Sequence, residues 1–79
     1  MTEWQIEIVM FASGKTIQFV VTAENLNKAK LAALREFRKI VPGRKNLYLE
    51  ARGDRTYTLV SDLYDIGSLC IECVSQAVY

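Results

Sequence analysis

Two short spacings in this chain are candidates for chemistry. Cys70-Ile71-Glu72-Cys73 has the spacing shared by redox pairs and zinc ligands, and Ser13-Gly14-Lys15-Thr16 carries the Gly-Lys-Thr ending of a phosphate-binding loop. A redox pair needs its first thiolate at a helix N-terminus, early in a thioredoxin-like domain. These cysteines lie near the other end of the chain. A structural zinc takes four ligands, whereas the chain has two cysteines and no histidine. Side chains three apart on a strand also face opposite sides. The expectation is two ordinary, partly buried cysteines and no metal site. The phosphate loop fails its context as well. It requires another glycine five positions before Gly14, where Val9 stands, and it must open a helix whose amides face the phosphates. A strand pattern follows instead, which places Lys15 at a hairpin tip.

The missing histidine also removes His-based triads and general bases. Asp54, Asp62, Asp65 and Glu72 offer carboxylates, but no spacing among them sets two in one cleft, and turn roles account for the aspartates. The expectation is a protein that is not an enzyme and needs no cofactor.

The frame for these residues is small. Seventy-nine residues make a single domain, and 51% hydrophobic with 24% charged is a globular composition. The start Met1-Thr2-Glu3-Trp4-Gln5 puts an acid where a secretory signal has a basic region. Apolar runs such as Ile8-Val9-Met10-Phe11-Ala12 fall far short of the ~20 residues that span a bilayer. With so few cysteines, the expected location is cytoplasmic, with no membrane partner.

Trp4, Ile6, Ile8, Met10 and Ala12 recur at a spacing of two with Gln5 and Glu7 between them, and Ile17, Phe19 and Val21 recur likewise over 16–22, with Thr16, Gln18 and Thr22 on the other face. Period two predicts two strands, joined as a hairpin by Ser13-Gly14-Lys15. The period then changes. Leu26, Ala29, Ala33, Phe37 and Ile40 fall on one stripe of a helix over 26–41, widened by Leu34 and Val41. Asn25 is its predicted N-cap and Pro42-Gly43 its stop. Leu47, Leu49 and Ala51 alternate into a third strand, Gly53-Asp54 marks a turn, and Thr56–Val60 makes a fourth. Residues 62–68 read as a compact connection. Residues 69–75 read as a fifth strand, with a short helix as the alternative. The predicted fold is α+β: one domain over 1–79, order ββαβββ, an antiparallel or mixed sheet with one helix on one face.

The predicted core is Trp4, Ile6, Ile8, Ile17, Phe19, Val21, Leu26, Phe37, Leu47, Leu49 and Leu59. On the sheet face away from the helix the register leaves Val9, Phe11, Val20 and Tyr48, with Val60 and Val74 as further members. An apolar cluster there is a candidate for a homodimer or partner contact. The clearest constellation is charge. Residues 28–45 carry a net +6, against −2 before them and −3 after them, in a chain of formal charge +1. Lys28, Arg35, Arg38, Lys39, Arg44 and Lys45 are the candidate partner-binding set. A solvated helix face with cations suited to the C-terminal dipole is the plainer explanation; an anionic protein surface or nucleic-acid phosphates are the functional ones.

The runs Phe11–Phe19, Ala23–Ala29 and Arg55–Leu63 resemble small open-reading-frame products of bacteriophages and prophages. Members of such families with known roles bind and block host proteins, including components of defence systems. The resemblance implies a non-catalytic, phage-borne inhibitor that occupies a surface on a host protein or complex through its basic helix and loop. The run Asn27–Leu34 is similar to the lysine-bearing, alanine-rich helix of double-stranded-RNA-binding domains, whose αβββα order this chain does not share. The second expectation is thus an accessory protein that binds nucleic acid weakly through the same basic face.

Overall fold

Strict alternation of Trp4, Ile6 and Ile8 with Gln5, Glu7 and Val9 makes the first strand, β1 (Thr2–Met10), which turns back into β2 (Thr16–Ala23). The chain then forms a helix, α1 (Leu26–Ile40), and three further strands, β3 (Tyr48–Gly53), β4 (Thr56–Ser61) and β5 (Tyr64–Cys73). The computed structural model describes residues 1–74. All five strands belong to one antiparallel sheet of order β2-β1-β5-β4-β3. The ββαβββ order and the α+β class agree with the sequence pattern.

Helix α1 begins where expected. The Asn25 side chain accepts a hydrogen bond from the Lys28 amide at 2.9 Å, capping the first turn. The helix buries Ala29, Ala33, Leu34 and Phe37 against Trp4, Ile6, Ile8, Val21, Tyr57, Leu59, Leu69 and Ile71. Leu26, Ile17, Phe19 and Leu49 pack around this core and Leu47 lies within it, so every predicted core residue is in place. Ile40 is exposed, and the half-buried Val41 packs against the core instead. The Trp4 indole satisfies its one donor on the Ala23 carbonyl at 3.2 Å, which pins the start of β1 to the end of β2.

Three expectations change. The first strand ends at Met10, and Ala12 lies exposed in the turn. Residues 62–68 are not a connection. The link between β4 and β5 is only Asp62-Leu63, with Ser61 paired to Tyr64, and the strand starts five residues earlier than its alternation suggests. The cause is an irregular ladder: the β4–β5 register shifts between Leu59 and Val60, and such a bulge disrupts the period-two signal. Val60 is the third. It is only 2% exposed, on the face opposite Leu59. Val74 is half-buried, with its amide on the Glu3 carbonyl. Ser75 lies outside the described residues.

Gly67 sits opposite both Met10 and Leu59. A Cβ built there would lie 2.9 Å from the Val9 carbonyl oxygen, a backbone atom with no easy escape. Gly67→Ala is therefore expected to cost about 1–3 kcal/mol, as overpacked sites do. Gly53→Ala meets nothing within 4 Å and is expected to be near neutral. Urea denaturation of the two variants checks the contrast.

Candidate partner-binding surface

The sheet has two ends, and three of the five connections lie at one of them, the loop end. The β1–β2 turn (11–15), the α1–β3 loop (41–47) and the β4–β5 turn (62–63) all leave the sheet on the same side, because β2 and β3 start there while β1 and β4 finish there. The α1–β3 loop and the β4–β5 turn are tied together. Asn46 donates from Nδ2 to Asp62 Oδ1 at 2.7 Å, and Ser61 donates from Oγ to the Lys45 carbonyl at 2.8 Å. At the third loop, the Phe11 amide donates to the Ile66 carbonyl at 3.0 Å, and Gly14 closes the turn at φ +71°.

This end is strained. Asn46, Asp62 and Leu63 hold φ of 52°, 50° and 69°, the left-handed region where a side chain is costly. Asn and Asp tolerate it through local hydrogen bonding; Leu63 has no such means. Both central residues of the two-residue turn are at positive φ, as a type I′ hairpin turn requires. Leu63 is also 87% exposed and Tyr64 75% exposed. The sequence reading missed both, having placed them in a connection. The available signal was an apolar pair following Ser61-Asp62 where a solvated turn would carry glycine or asparagine.

The six predicted cations divide by position. Arg38 and Lys39 stand in the last helical turn and Arg44 and Lys45 in the loop that follows, so these four belong to the loop end. Lys28 and Arg35 lie farther back along α1 and line a shallow recess with Thr22, Ala23 and Leu31. Two of the six are already engaged: Lys28 pairs with Glu24 at 3.2 Å and Lys39 with Glu36 at 3.5 Å. Arg35, Arg38, Arg44 and Lys45 make no ion pair among the described residues. Lys30 is drawn inward, its ammonium 4.9 Å from the centre of the Tyr57 ring.

Val9, Phe11, Val20 and Tyr48 are each exposed, but the register keeps them from forming one patch. Val20 lies opposite Gln5, and Glu7 with Gln18 separate that row from Val9. The Gln18 amide donates to Glu7 at 2.8 Å, so this stretch of the outer face is polar. Tyr48 starts β3 opposite Val60, at the loop end, and Phe11 lies in the turn there.

The remaining candidates stay apart. Cys70 pairs with Glu7 and Cys73 with Trp4, on opposite sheet faces as the spacing requires; Cys70 is half-buried and Cys73 exposed, not partly buried as expected. Lys15 and Gly14 sit in a hairpin turn followed by β2, as expected. Asp54 and Glu72 line a recess at the opposite end, beside the β3–β4 turn, whereas Asp62 and Asp65 lie at the loop end. No group of three or more metal-ligating side chains occurs among the described residues, and no helix is long and apolar enough to cross a membrane.

Comparison with family models, curated proteins and solved structures finds no match to this chain.

The tie between the loops is testable on its own. Ser61→Ala leaves the Lys45 carbonyl without its partner and is expected to cost about 1 kcal/mol. Amide exchange at Arg44–Asn46 should quicken while the β1 and β5 amides stay protected.

Proposed function

We propose that this chain is a non-catalytic binding module that occupies a surface on another protein through its loop end. In the setting that the resemblance to phage proteins implies, the target is a host protein and the outcome is inhibition. One observation carries the reading: two exposed apolar side chains, Leu63 and Tyr64, stand beside Arg44 and Lys45, cations with no ion pair among the described residues, on loops held together by side-chain hydrogen bonds. Apolar and aromatic anchors with a charged rim suit a protein surface, and the cations would steer approach to an acidic patch. Backbone strain at an exposed apolar residue costs stability for no gain to the fold, and strained positions of this kind gather at ligand contacts.

Purified chain is the bait for soluble proteins of a bacterial host, and a labelled DNA duplex and a single-stranded RNA are the controls. A protein partner retained by the wild type should be lost with Leu63→Gly and with the pair Arg44→Glu and Lys45→Glu. Leu63→Gly relieves a left-handed side chain, so it should be neutral to about 1 kcal/mol stabilising after the entropy cost of glycine. Binding and stability would then move in opposite directions. Nucleic-acid affinity should be weak and fall steeply with salt, by about 0.9 log units per tenfold salt for each duplex phosphate neutralised. Submicromolar nucleic-acid binding that persists at physiological salt and ignores Leu63→Gly would overturn the protein reading.

A further inference from the structure

Among the described residues the sheet has two open edges, and they are built differently. Edge β3 carries Glu50 and Arg52, a register shift between Ala51 and Gly53, and a glycine. Charges and bulges are the devices by which edge strands resist pairing. Edge β2 has none of them. Its eight residues, Thr16–Ala23, contain no charge, proline or glycine, and its register with β1 is unbroken.

Which groups this edge offers follows from the ladder. The Met10 amide donates to the Lys15 carbonyl, and the Val74 amide reaches Glu3 from the other side. Hydrogen bonding alternates along an antiparallel strand. Ile17, Phe19 and Val21 therefore bond to β1, while Thr16, Gln18, Val20 and Thr22 turn their amides and carbonyls to the open side.

We infer that β2 pairs antiparallel with β2 of a second copy of this chain, about a two-fold axis through Phe19. This register matches all four open residues, Thr16 with the copy's Thr22 and Gln18 with its Val20, in alternating hydrogen-bonded pairs. On the helix face it sets the half-buried Phe19 against Phe19 and Ile17 against Val21, pairs that favour strand association. Charge selects the antiparallel direction. Lys15 flanks one end of the strand without an ion pair among the described residues, and Glu3 lies opposite Thr22 at the other, where Glu24 is already held by Lys28. Antiparallel pairing keeps the two Lys15 side chains at opposite ends and sets each toward the other copy's Glu3; parallel pairing would oppose them. The exposed Val20, at 54%, is shielded in the pair. The product is a ten-stranded sheet with both helices on one side.

Sedimentation equilibrium of the full chain at micromolar concentrations tests this directly, with circular dichroism reporting the fold. A dimer is expected. Val20→Lys adds an edge charge at an exposed site and should raise the dissociation constant about tenfold or more; Val20→Pro, which removes an outward amide, should act alike. Lys15→Glu alone should weaken the dimer several-fold, and adding Glu3→Lys should restore it. A monomer at 100 µM (roughly the limit at which such pairing has meaning) overturns the inference. So does a dimer that ignores both Val20 variants, or one broken by Leu63→Gly. The last result would place self-association on the loop end, whereas failure of the dimer leaves partner capture through Leu63 untouched.

Discussion

One helix has to join the two outermost strands of the sheet. β2 and β3 are opposite edges of the order β2-β1-β5-β4-β3, and α1 is the only element between them in sequence. Five strands span about 19 Å across at ~4.8 Å spacing, and a helix of 15 residues is about 22 Å long at ~1.5 Å per residue. A helix of this length therefore suffices to cross the width of the sheet. That passage shapes the packing. Ala29 and Ala33 are fully buried, small enough for the helix backbone to come close, while Phe37 fills the space nearer its C-terminus. It dictates the charge as well. The helix end, with Arg38 and Lys39 in its last turn, is delivered to the loop end of the sheet, and Arg44 and Lys45 follow at once.

Most of the fold was legible because it rests on local period. Alternation in β1 and β2, the Leu26–Phe37 stripe, the Asn25 cap and the Pro42-Gly43 stop each have a one-dimensional signature, and the structure bears these features out. What failed was non-local. Gly67 looks like a turn residue in sequence but serves close passage of β5 past the Val9 carbonyl. The bulge at Leu59–Val60 hides the first half of β5 from any periodicity argument. The outer apolar cluster dissolved for a related reason. Period two assigns a face, yet only cross-strand register says which residues are neighbours, and register set Glu7 and Gln18 between Val20 and Val9.

The candidate surface divides along the same line. Composition exposed the basic segment, but not that Glu24 and Glu36 engage Lys28 and Lys39, which leaves Arg35, Arg38, Arg44 and Lys45 without an ion pair among the described residues. The exposed Leu63 and Tyr64 carry only a weak signal, an apolar pair after Ser61-Asp62, because the positive φ of Asp62 and Leu63 that shapes the turn is not written in any period. Two side-chain hydrogen bonds, from Asn46 and Ser61, hold this strained turn against the basic loop. Each bond contributes about 1 kcal/mol, comparable to the cost of one left-handed side chain. The loop end is therefore preorganised at nearly no net gain to folding, which is the balance expected of a surface shaped by contact with something else.

The two proposed surfaces constrain each other through geometry. The basic loop lies at the start of β3, four strands from β2. A two-fold axis at β2 would reverse strand direction between copies, so the loop ends would project from opposite ends and opposite edges of the joined sheet. Nine strand spacings of ~4.8 Å separate the two β3 strands by about 43 Å. No single small epitope reaches across that distance. A dimer of this form would therefore bind either two separate targets or two equivalent sites on a symmetric one. Only the symmetric case would show avidity, because the second contact is then made at the effective concentration set by a rigid sheet. Edge pairing and loop recognition are thus independent in energy but coupled in stoichiometry, and a symmetric oligomer is the kind of target on which both would act together.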